Sequence, residues 1–160
     1  SIIIWCTILI IHLTSLPILT KNLFTFCSTA PLMPLAFLIS KAIKVDFKNK
    51  ENPLTALGVL FSVNQMLYLL IAMWIYPTLP EKMLMIIAMI FGAHLLPYGW
   101  LYKSKSYIVF AILIPIVSLI IGVNFEPYVI ALMMMGTEII FSICLIFENR
   151  KISSISKTNF

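Results

Sequence analysis

KMLMIIAMIFGAHLLPYGWLYKSKSY, residues 82–107, opens on an uncharged apolar run, carries His94 and Pro97 deep within it, and closes on aromatics and two lysines. About 20 apolar residues of helix cross the ~30 Å hydrocarbon core of a bilayer. Tyr98, Trp100, Tyr102 and Tyr107 match the aromatic belt found at headgroup depth, and Lys103 with Lys105 match a cytoplasmic anchor. Residues 83–102 therefore read as a membrane-spanning helix with a titratable side chain inside it and its direction marked by its basic end.

The rest of the chain agrees. Hydrophobic residues make up 61% of it, charged residues 11%, and the mean hydropathy is +1.05. Soluble domains run near 45–50% apolar and about 25% charged. A soluble chain of 160 residues has no means of hiding this much apolar surface. The net charge of +5 does not signal nucleic acid, because the lysines are dispersed among helix ends and form no single basic face. It reads as a topology signal and as attraction to anionic lipid headgroups.

Apolar runs separated by short polar turns predict an all-α integral membrane bundle of six transmembrane helices, at about 1–19, 23–43, 54–76, 83–102, 107–123 and 128–147. The first run has neither the basic start nor the cleavage site of a secretory signal, and reads as a helix whose first residues precede Ser1. Its His12 reads as a hydrogen-bonded packing residue. Pro31, Pro34, Pro97 and Pro115 are expected to kink their helices, which membrane bundles tolerate when neighbours satisfy the freed carbonyls. Residues 44–51 form a charged loop, and residues 148–160 a mobile polar tail. Nine Lys and Arg residues fall on one side of this topology and two, Lys21 and Lys82, on the other, so both termini are expected in the cytoplasm. Residues 30–38 (APLMPLAFL) align without gaps to 93–101 (AHLLPYGWL), a pattern that a parallel duplication of helical hairpins would leave.

Enzyme motifs are missing. Cys6, Cys27 and Cys144 lie in separate runs with no metal-ligand spacing, and no phosphate-cradling or nucleophile-elbow pattern occurs, so no metal and no cofactor are expected. What remains is a set of polar residues at one depth. Asn64, His94 and Glu138 lie about 8–10 residues from the cytoplasmic ends of their helices, roughly 12–15 Å at ~1.5 Å per residue. A charged carboxylate near the bilayer midplane costs at least ~2.5–3.5 kcal/mol, so Glu138 is expected to face the bundle interior. On this reading Glu138 is a proton or ion acceptor, His94 its relay or partner, and Asn64 with Gln65 hydrogen-bonding walls. The same set also suits a polar network that only sets helix register. The small residues Gly92, Ala93, Gly99 and Gly136 would permit close helix approach in either case. Met133, Met134 and Met135 suit bundle packing better than a copper relay.

At HLLPYGWLYKSKSY, residues 94–107, and around Ser40, Lys41 and the Asn52-Pro53-Leu54 segment, the chain resembles a family of small bacterial polytopic membrane proteins of unknown function. The resemblance spans about residues 31–151. It implies a multi-pass protein of the bacterial plasma membrane with a polar segment ahead of Ser1, and it supplies no activity. Three functions stay open: a small transporter or channel-like protein using the midplane set; a non-catalytic membrane protein with a structural or partner-binding role; and a lipid-acting membrane enzyme. The partners expected are the lipid bilayer and a second copy or another membrane protein.

Overall fold

The computed structural model describes residues 1–29 and 53–158 of the protein. Pro31, Pro34, the 44–51 loop and the first copy of the internal similarity lie outside the described residues. Elsewhere the regular structure is helical, with no strand among the described residues. In chain order the elements are α1 (Ile2–Leu13), α2 (Ile18–Thr29), α3 (Pro53–Thr78), a 3₁₀ turn (Pro80–Lys82), α4 (Met83–Ala93), α5 (Leu95–Leu101), α6 (Lys105–Asn124) and α7 (Pro127–Thr158). Among the described residues, four segments are long and apolar enough to cross a membrane: Ala56–Thr78, Pro80–Leu101, Lys105–Asn124 and Pro127–Arg150.

The N-terminal region departs from expectation. In place of one span over 1–19, α1 has 12 residues, about 18 Å at ~1.5 Å per residue. It stops because Thr14 leaves helical geometry at φ −71°, ψ 166°, its hydroxyl bonded to the Ile11 carbonyl at 2.6 Å. Pro17 then biases Leu16 away from helix. The expected turn at Thr20, Lys21 and Asn22 lies inside α2. Those polar side chains serve neighbouring elements: Lys21 Nζ donates to the His12 carbonyl at 3.0 Å, and Asn22 Nδ2 to the Pro80 carbonyl at 2.8 Å. At the other end the expected tail is instead the last turns of α7, which is helical to Thr158.

The centre of the molecule is α4, which packs on α6, α3 and α7 and buries Met83, Leu84, Ile87 and Ala88. Its helix is interrupted at His94 (φ −69°, ψ −14°). The cause is three residues on: Pro97 has no amide hydrogen, so the Ala93 carbonyl loses its helical donor. Pro115, by contrast, sits within an uninterrupted α6. The two helices run antiparallel and nearly touch. A methyl added at Gly92 would meet Ile114 and Pro115, one at Gly99 would meet Ile108, and one at Gly122 would meet Met85. Of the small residues expected at helix contacts, Gly136 has nothing within 4 Å of such a methyl, and Ala93 is exposed.

Helix α5 ends in a Schellman motif. Ser104 N donates to the Gly99 carbonyl at 3.1 Å and Lys103 N to the Trp100 carbonyl at 3.3 Å. This puts Lys103 at φ 51°, a left-handed position usually given to glycine. Ser104 then caps α6 by accepting from Tyr107 N at 3.4 Å. Helix α3 is peripheral: Ala72 and Ile75 are buried, while Leu60, Leu67, Leu70 and Trp74 are exposed.

Candidate functional site

Glu138 lies midway along the apolar part of α7 and is 2% exposed. Its Oε2 accepts a hydrogen bond from Ser1 Oγ, and Oε1 is buried with no partner among the described residues. The hydroxyls nearest in sequence do not serve it. Thr137 Oγ1 donates back to the Met133 carbonyl at 2.8 Å, and Ser142 Oγ donates to the Glu138 carbonyl at 2.8 Å. Both obey the habit of helical Ser and Thr of bonding to the preceding turn. The contact between α1 and α7 is therefore what gives the carboxylate its partner.

One turn further along α7, Phe141 meets Tyr107 of α6 edge-to-face at 4.9 Å and Phe110 at 5.0 Å. Aromatic contacts continue through Tyr107, Tyr102 and Tyr98 to His94, with centroids 5.6–6.4 Å apart. His94 is half-buried in this row and its Nδ1–H donates to the Phe91 carbonyl at 2.5 Å. A carbonyl only accepts, so Nδ1 carries a proton in this bond. No hydrogen bond joins His94 to Glu138. Asn64 lies on the exposed side of α3 and donates to Tyr68 of the same helix at 3.1 Å, while Gln65 is half-buried. The α3 side chains that do reach the aromatic row are Ser62, 2.6 Å from Tyr98 Oη, and Phe61, whose ring meets Tyr98 edge-to-face at 5.9 Å. Trp100 and Tyr102 are exposed at the far end, beside Lys103 and Lys105.

Two further polar groups escaped the depth argument. At the Pro80 end, His12 Nε2 pairs with Thr25 Oγ1 at 3.1 Å, both buried, and Asn22 is buried with Oδ1 unpartnered among the described residues. Lys82 Nζ binds the Gly122 carbonyl at 2.7 Å and the Val123 carbonyl at 3.4 Å, closing the C-terminal end of α6. At the opposite end, the Glu148 carboxylate accepts from Ser104 Oγ at 2.7 Å, Lys105 N at 2.9 Å and Ser106 N at 3.3 Å. A carboxylate there suits the positive end of the α6 dipole. The sequence signal was Ser104 directly before a helix, which marks a cap but not its distant partner.

Cavities formed by described residues include one of about 490 Å³ at Glu81, Asn124 and Glu126, one of about 380 Å³ at Gly99, Lys103 and Ile108, and one of about 240 Å³ between Leu23, Met73 and Met83. Glu138 and His94 line none of them. No group of three His, Cys, Asp or Glu side chains converges as a metal site would require among the described residues. A lone buried carboxylate with one open oxygen is the chemistry this interior offers, and it suits a single proton or a single small cation.

Among the described residues, four segments that could cross a membrane, one of them carrying a buried carboxylate, define the class of the molecule. The chain belongs to the family of unknown function DUF7010, whose model matches residues 1–148. No curated protein and no solved structure matches it.

Proposed function

We propose that the protein is a small transporter of the bacterial plasma membrane, a bundle of six helices with both termini cytoplasmic, in which Glu138 takes up a proton or a monovalent cation. The observation that carries this reading is the Oε1 of Glu138, buried in an apolar interior without a partner among the described residues. An unmatched buried carboxylate oxygen is costly, and a bundle has no structural reason to keep one where Gln or Leu would pack. A proton or cation held at that oxygen removes the cost, and intramembrane acids commonly mark such pathways.

The topology has its own support. Turns at residues 14–17 and 79–82 share one end, tied by the Asn22 to Pro80 bond. Lys21 and Lys82, the two basic residues on the proposed outer side, are both spent on carbonyls at helix C-terminal ends. Their presence there is explained by capping, and the basic residues that remain count toward the cytoplasmic side.

The test is flux. Purified protein is placed in liposomes with a pH-sensitive dye inside and given a proton gradient, alone or with Na⁺ or K⁺. The wild type should collapse one of these gradients, and Glu138→Gln should not. Equal flux through Glu138→Gln would remove the carboxylate from the mechanism. A structural or partner-binding role is the second reading, favoured by the Ser1 hydrogen bond through which Glu138 ties α7 to α1. Folded protein that passes none of the three ions would decide for it.

A further inference from the structure

We propose that the groove between the end of α5 and the start of α6 is a binding site for one anionic phospholipid. The groove holds about 380 Å³. Its floor is apolar, made by Gly99, Leu101 and Ile108, and its rim carries Trp100, Lys103 and Lys105. The floor exists because α5 and α6 approach closely at Gly99, where a side chain would meet Ile108 at 2.6 Å. Trp100 is 68% exposed, as an indole standing at headgroup depth would be.

Charge decides the occupant. Neither Lys103 nor Lys105 has an ion-pair partner among the described residues. The acid held at this loop, Glu148, already accepts from Ser104 Oγ and two backbone amides. Ser104 is buried by that contact, so the loop between the lysines is pinned while both ammonium groups stay outward. Lys103 keeps its place at φ 51° although glycine would suit the backbone better. A phosphodiester between the two lysines, with one acyl chain along the Gly99–Ile108 floor, matches the groove at both ends. A zwitterionic lipid brings its own cation to the lysines and matches only the floor.

The inference rests on the membrane reading of the apolar helices and is independent of the role of Glu138. Detergent-purified full chain is mixed with equal amounts of phosphatidylglycerol and phosphatidylcholine of matched chains, and retained lipid is read by native mass spectrometry. Wild type should keep one phosphatidylglycerol in preference. Each lysine near a lipid surface contributes about fivefold in affinity, so Lys103→Gln with Lys105→Gln should reduce that preference about 30-fold. Ile108→Trp fills the floor, leaves both charges, and should also lose the lipid. Arg150→Gln, a basic residue outside the groove, should change nothing. Retention unaffected by the double lysine change or by Ile108→Trp overturns the site, as does equal loss with Arg150→Gln, which would mean diffuse charge. Chain that stays soluble without detergent would instead sink the membrane reading beneath it.

Discussion

A methyl group at Gly92 tests the central helix contact. Built on the backbone, it lies 2.6 Å from Ile114 Cγ2, 2.6 Å from Pro115 Cδ and 2.7 Å from Ile114 Cβ. Ordinary contact begins at 3.4 Å, so α4 and α6 must part by about 0.8 Å. Nothing nearby yields easily: Ile114 is fully buried, and Cβ and a proline ring cannot swing aside. Overpacking costs about 1–3 kcal/mol, against which alanine recovers at most ~1 kcal/mol of helix propensity. With three contacts on stiff atoms the net for Gly92→Ala is a loss of about 2 kcal/mol. Gly136→Ala is the matched control, because nothing lies within 4 Å of its added methyl. It should gain up to ~1 kcal/mol from propensity alone. At about 2–4 °C per kcal/mol for a chain of this length, thermal unfolding in detergent should show Tm falling by roughly 4–8 °C in the first variant and rising slightly in the second. Gly92→Ala as stable as wild type, or two shifts of the same sign, would refute the close packing of α4 on α6.

Other expectations concern the polar ends. Glu148→Ala strands Ser104 Oγ and two amides, and should cost about 1–3 kcal/mol, with faster hydrogen exchange confined to residues 104–106. Lys103→Gly relieves the left-handed backbone at φ 51° and should stabilise by about 1 kcal/mol, read as a higher Tm in the same detergent. His12→Leu leaves the buried Thr25 hydroxyl alone and should cost about 1–3 kcal/mol; adding Thr25→Val should restore most of it, and strictly additive losses would mean the pair does not interact.

The end of the helix near Tyr102 in the 82–107 stretch was legible because the apolar run gives way there to aromatics and lysines. The interruption beside Pro97 was legible because a missing amide acts locally. The partners of Glu138 were not. Ser1 lies 137 residues away and looks like any other serine. His94, its expected partner by depth, satisfies itself on Phe91 three residues back. Depth says how far along a helix a residue stands and nothing about the direction it faces.

From composition and local chemistry alone, the sequence determines an apolar helical chain and the ends at which its charges gather, while the stop of the first helix at Thr14 went unread. Which face of each helix turns inward is decided only by the tertiary structure. In a soluble protein the apolar stripe would reveal that face. Here the surroundings suited to such helices are as apolar as the core, so hydropathy carries no contrast between inside and outside. Steric fit decides instead. Gly92 and Gly122 meet α6 and α4 while Gly136 meets nothing, and Asn64 looks out while Ser62, two residues earlier, reaches Tyr98.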